Sequence, residues 1–202
     1  LFAVYALIFG LLLIFYVQPV KNSWDEQIHF DNAYKLSFTK NIDWTEAALN
    51  IKNINTVTCN TKAEYAELRE YMNQAGKVHV YTEKKENIVP SYTVLAYVPQ
   101  AIFLKLGRIF HFSFSLMYAF GKIGNLLLYI SVMFWAIKIA KIKQLFLLFL
   151  TLMPTNLFLA SSYTYDTVVF SFFTLGCVIW VNEMFFYESK TSAKKIIFMI
   201  LL

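Results

Sequence analysis

Charge is what this sequence has least of. Lysine, arginine, aspartate and glutamate make up 15% of its 202 residues, whereas a soluble domain carries about a quarter. Hydrophobic residues reach 58%, with 20 Phe and 13 Tyr among them. So few charges cannot cover a water-facing surface, which excludes an ordinary soluble globule and points to an all-α polytopic membrane protein with a polar insert. Cysteine is scarce as well. Cys59 falls in the polar insert and Cys177 in an apolar run, so a disulfide between them is not expected, and no metal-type cysteine spacing exists. There is no internal repeat and no low-complexity tract. The chain does not open on Met and stops inside the apolar run Ile196–Leu202, so it reads as part of a longer polypeptide.

The formal net charge of +5 does not imply a nucleic-acid partner, because of where the charge lies. Residues 21–112 hold eleven Lys/Arg against ten Asp/Glu. The surplus sits mainly in two short connectors, Lys138–Lys143 and Lys190–Lys195. Positive charge in short loops beside apolar spans is a topology signal rather than a phosphate-binding stripe.

Taken in order, Leu1–Val17 is free of charge and just long enough to cross a hydrocarbon core. Without a small-x-small cleavage site it reads as a retained span ending at Pro19, so residues 1–19 form the first unit. Residues 20–112 form the second, a mostly helical extracytoplasmic loop. Ser23 with Glu26 and Thr61 with Glu64 each have capping-box spacing. The second helix would carry Tyr65, Leu68, Met72 and Ala75 on one side and stop at Gly76. Lys77–Thr82 alternates like a short strand. The segment from Pro90 to Phe112, with Pro99, Lys105 and Arg108 inside it, suits helices lying along the interface better than a crossing, an arrangement that also puts both lysine connectors in the cytoplasm. Residues 113–202 form a bundle with spans at about 114–137, 144–162 and 167–187, and another from 195 onward. Asp25, Glu26, His29 and Asp166 then all border the outer membrane face.

Several polar residues stand out against this background, each with a plain alternative. On a helix Asp25 and His29 share a face at i and i+4. With Glu26 they could supply a general base or the ligands of a divalent cation at the mouth of a cavity; equally, first-turn acids complement the helix dipole and Glu26 completes a capping box. Asp166, after Ser161-Ser162-Tyr163-Thr164-Tyr165, is costly at membrane depth and so a functional candidate, or else the cap of the next helix. Lys122 lies within a span and forms a polar stripe with Asn125 and Tyr129, beside Gly121 and Gly124, which permit close packing. It suits a lipid-phosphate or sugar-phosphate group, or a structural pair with an acid elsewhere. Arg108 and Lys105 could meet lipid phosphates, although interfacial basic residues are commonplace. His79 and His111 stand alone.

The stretch Trp24-Asp25-Glu26-Gln27-Ile28-His29-Phe30 resembles the Pro-Asp-Glu-x-x-His-Phe signature of a bacterial polytopic membrane family of unknown function, grouped with GT-C-type glycosyltransferases. Tyr97-Val98-Pro99-Gln100-Ala101 with Leu106-Gly107-Arg108, Gly121-Lys122-Ile123-Gly124-Asn125, and Met153-Pro154 leading to Ser162–Asp166 agree in the same order. Trp24 stands where that family has Pro, and Lys122 where it has Arg, which keeps the charge but not the bidentate fork. The resemblance implies a GT-C-like fold and a polyprenyl-phosphate-linked sugar donor at the outer face of a bacterial cytoplasmic membrane. It implies Asp25 as base, Glu26 and His29 orienting acceptor or metal, Asp166 assisting and Lys122 holding donor phosphate; Asn125, Tyr165 and Arg108 join Lys122 and Asp166 as candidate substrate-binding residues. Asp25, Glu26 and Asp166 are the candidate ligands of a divalent cation. The expected partners are membrane lipids and a lipid-linked sugar, with no nucleic acid. A non-enzymatic transporter or flippase of lipid-linked saccharide, or an assembly subunit, is the alternative, although no inverted repeat or broken helix is evident in the sequence.

Overall fold

The computed structural model describes residues 1–17, 25–38, 42–43, 61–64, 66–67, 70, 82–83 and 92–186. Among them the chain is helical, apart from a two-residue ladder pairing β1 (Ile42–Asp43) with β2 (Thr82–Glu83) antiparallel. Thr82 is thus the one described residue of the expected strand at 77–82.

The apolar N-terminal run forms α1 (Phe2–Leu12), which continues as a π-helical stretch, Leu13–Val17. Then come α2 (Glu26–Phe38), α3 (Tyr92–Ala96), α4 (Val98–Ile109) and α5 (Phe114–Ile139). A turn containing Lys141 and Lys143 leads to α6 (Gln144–Thr151), α7 (Pro154–Ala160) and α8 (Asp166–Phe185). Among the described residues only α5 and α8 are both long and apolar enough to cross a membrane alone. At 1.5 Å per residue they reach about 39 and 30 Å. Helix α4, with 12 residues, rises about 18 Å and cannot cross by itself. Pro99 does not break it, because it sits in the first turn, where no intrahelical donor is needed.

The capping boxes had different outcomes. Thr61 and Glu64 cap reciprocally: the Thr61 N–H donates to Glu64 Oε2 at 3.1 Å and the Glu64 N–H to Thr61 Oγ1 at 3.3 Å. The apolar face built on Tyr65, Leu68, Met72 and Ala75, and its stop at Gly76, lie outside the described residues. So does Ser23; its expected partner Glu26 points inward to another group.

The run expected as one span at 144–162 is two short helices. Pro154 has no N–H to continue α6, so the chain turns at Leu152–Met153 and restarts with Pro154 at the head of α7. Side chains occupy the carbonyls exposed by the break: Tyr129 Oη donates to Thr151 O at 2.6 Å and Asn156 Nδ2 to Leu150 O at 2.7 Å. Backbone groups shielded from water need partners of this kind.

Helices α1, α7 and α5 share an apolar core containing Ala6, Ile14, Leu126, Met133 and Leu157. A second, aromatic core joins α2 to α4, α5 and the 161–165 segment through Phe30, Tyr34, Tyr97, Phe114, Tyr118 and Tyr163. Gly124 makes this possible, since a Cβ there would run into the Pro99 carbonyl and the Phe103 ring of α4.

Candidate functional site

The non-helical segment Ser161–Tyr165 leaves backbone groups that it cannot satisfy itself, and three elements answer them. The Tyr163 N–H donates to Glu26 Oε1 of α2 at 3.3 Å. Asn125 Nδ2 of α5 donates to the Ser162 carbonyl at 3.0 Å, and Gln100 Nε2 of α4 to the Thr164 carbonyl at 2.9 Å. All three side chains are fully buried. Tyr163 then donates its hydroxyl to the Tyr118 carbonyl at 2.7 Å, over Gly121, where any Cβ would collide with the tyrosine. The amide orientations follow from chemistry: a flipped Asn125 or Gln100 would set oxygen against oxygen.

Glu26 Oε1 also meets Lys122 Nζ at 2.7 Å, with both side chains fully buried. The cation expected to hold donor phosphate and one acid of the expected catalytic set therefore form an ion pair with each other. Lys122 Nζ lies 5.2 Å from the centre of the Tyr118 ring. The pair ties α2, which carries His29 and directly follows Asp25, to the long apolar helix α5.

Above this buried layer the chemistry opens outward. Asp25 is exposed and takes a left-handed backbone, φ 52°, while its carbonyl accepts from the N–H groups of Ile28 and His29 at 2.8 and 3.2 Å. Aspartate tolerates this region better than most residues. His29, one turn later and half-buried, shares a 2.6 Å hydrogen bond between Nδ1 and the Tyr97 hydroxyl. Its ring meets that of Tyr165 edge-on at 5.3 Å. Burial holds the imidazole below its usual pKa of 6.5, and the charges of Asp166, Asp25 and Glu26 pull it back up. Burial likewise raises the Tyr97 phenol, against a hydrogen bond from Asn32 that lowers it. Asp166 is the first residue of α8 rather than its cap. Thr164 Oγ1 accepts from the Asp166 N–H at 3.1 Å and donates to its carboxylate at 3.0 Å.

Asp25, His29, Tyr165 and Asp166 thus come together at one end of α5 and α8, and the Lys138–Lys143 turn lies at the other. Arg108 is elsewhere. It grips the C-terminal end of α2, donating to Ser37 Oγ at 2.7 Å and to the Ser37 carbonyl at 2.8 Å, with its guanidinium 3.6 Å from the centre of the Phe38 ring. That end is roughly 16 Å along α2 from Glu26. Asn125 serves the 161–165 backbone instead of facing the open end. Tyr97, Gln100, Tyr163 and Thr164 complete the cluster, and no periodicity marks them, since their partners are remote in sequence. Among the described residues no group of three His, Cys, Asp or Glu side chains is placed to hold a metal ion.

Beside Asp166 a furrow of about 350 Å³ opens between α5, α7 and α8, lined by Leu159, Thr167, Val169, Phe170 and Phe173. A helical protein with two membrane-length apolar helices and a polar, acid-flanked histidine at one end is the class that fold and site define. Across residues 7–202 the chain matches DUF2142, described as a predicted membrane protein family, and it belongs to that family. No curated protein and no solved structure matches it.

Proposed function

We propose that this chain forms the acid–base end of a polytopic, GT-C-like membrane glycosyltransferase that uses a polyprenyl-phosphate-linked sugar at the outer face of a bacterial cytoplasmic membrane. The observation that carries the reading is the meeting of Asp25, just ahead of α2, with His29 of α2 and Asp166 of α8, at the end of the bundle opposite the lysine turn. In this mechanism the exposed Asp25 carboxylate takes the proton of an acceptor hydroxyl as its oxygen bonds to the sugar anomeric carbon. The bond from that carbon to phosphate oxygen breaks, and the lipid phosphate leaves with the electron pair. His29, neutral because of burial and fixed through Nδ1 by Tyr97, presents Nε2 to orient the acceptor. The furrow below Asp166 suits an apolar lipid chain. The left-handed Asp25 is a strained position of the kind that collects at functional sites. Glu26 and Lys122 are positioning groups in this scheme rather than base and phosphate ligand, and no step is routed through a metal.

The test is transfer of labelled sugar from a polyprenyl-phosphate hexose to a membrane acceptor. Asp25→Asn is expected to abolish transfer while the amount of folded protein in the membrane stays unchanged; full activity in that variant refutes the assignment. The break between α6 and α7 favours a second reading, since discontinuous helices are common in transporters. Uptake of lipid-linked saccharide into vesicles with no new glycosidic bond would establish that reading instead.

A further inference from the structure

At the opposite end from Asp166, the structure points to a binding site for one anionic glycerophospholipid, its phosphate on Lys141 and Lys143 and an acyl chain in the furrow between α6 and α8. This inference is independent of the glycosyltransferase reading and needs only that the chain sits in a membrane. The furrow measures about 390 Å³, and its walls include Phe146, Leu147 and Leu150 of α6 and Phe173, Cys177 and Val178 of α8. Lys143 and Asn182 are its polar edge. One wall, α8, is itself a membrane-length apolar helix, so hydrocarbon is the solvent this furrow meets.

Charge selects the headgroup. Lys138, Lys141 and Lys143 are all exposed, Lys143 lines the furrow and Lys141 is tied to its edge at Asn182, and between residues 138 and 186 the only acids are Asp166, at the far end of α8, and Glu183. Three lysines against one acid leave a net attraction for phosphate, and a single negatively charged lipid satisfies charge and apolar wall together.

The mouth is also held in place. Asn182 Oδ1 accepts from the Lys141 N–H at 3.0 Å while its Nδ2 donates to the Ile139 carbonyl at 2.8 Å. Gln144 Nε2 donates to the Ala140 carbonyl at 2.8 Å, and Lys141 Nζ lies 5.2 Å from the centre of the Phe186 ring. The lysines are therefore presented by a turn fastened to both walls, so little ordering entropy is lost when a headgroup arrives.

Native mass spectrometry of the delipidated full chain, titrated separately with phosphatidylglycerol and phosphatidylcholine, tests this. One tightly retained phosphatidylglycerol is expected, with phosphatidylcholine lost under the same activation. Lys141→Gln with Lys143→Gln, a surface change that spares the core, should weaken retention roughly thirtyfold, from about 1 kcal/mol for each lysine. Val178→Trp, which fills the furrow and leaves the charges alone, should abolish it. Equal retention of both lipids overturns the site, as does unchanged retention in the lysine variant. Full retention in a folded Val178→Trp protein puts the lipid outside the furrow and overturns it too. A Cys177 cross-link to another polypeptide segment in native membranes, with no lipid retained, would give the furrow to protein instead.

Discussion

The two ends of the α5–α8 pair solve the same problem with different materials. At each, the chain leaves helical geometry and its backbone groups need partners. At the lysine end Asn182 and Gln144, both reached by solvent, fasten residues 139–141. At the acidic end Glu26, Asn125 and Gln100, all fully buried, hold residues 162–164, and one of them carries a charge neutralised by Lys122. An exposed clamp is replaceable by water and a buried one is not. The acidic end is thus rigid beneath and open above, an arrangement that fixes Asp25, His29 and Asp166 relative to one another.

The sharpest way to break this contrast is Lys122→Met. It strands the Glu26 carboxylate without its cation, and loss of one partner of a buried pair typically destabilises by about 3–5 kcal/mol. The neutral pair Glu26→Gln with Lys122→Met should recover most of that loss. Thermal denaturation of the detergent-solubilised protein measures both; a single variant as stable as wild type would show that the pair does not anchor α2. Next comes Gly121→Ala, which drives a methyl group into Tyr163 and its bond to the Tyr118 carbonyl. Overpacking of this kind costs about 1–3 kcal/mol. At the lysine end Asn182→Ala should cost only about 1 kcal/mol, because water can replace both of its hydrogen bonds.

The same contrast explains what could be read from the sequence. The long apolar helices α5 and α8 were legible because uninterrupted apolar runs of that length declare themselves in the sequence. The close packing allowed by Gly124 and the capping box at Thr61 were also legible, being local in sequence. The pairing of Glu26 with Lys122 was not, since spacing reveals neighbours on one helix but not partners on two. Glu26 fitted a capping box so well that its other use was hidden. Arg108 read as a commonplace interfacial cation, and its grip on Ser37 and Phe38 of α2, some seventy positions away, left no mark in the sequence. Pro154 was visible, yet the break it causes was not, because the apolar run on either side continues without interruption.

The smallest effect concerns His29, and its sign follows from burial. The folded-state pKa lies below 6.5, so the unfolded chain takes up a proton before the folded one does. This contribution to stability is complete above pH 6.5 and is lost as the pH falls through the lowered folded value. In His29→Gln that part of the pH dependence should vanish, leaving a flatter profile of melting temperature below pH 6.5 than in wild type. Catalysis should follow the same titration, with transfer declining on the acid side as His29 gains its proton. Tyr97→Phe removes the hydroxyl that fixes Nδ1, so the ring is freer to turn and transfer should drop while the melting temperature changes by about 1 kcal/mol in equivalent stability or less. An identical pH profile in wild type and His29→Gln would place the titrating group elsewhere and detach the histidine from the acids on either side of it.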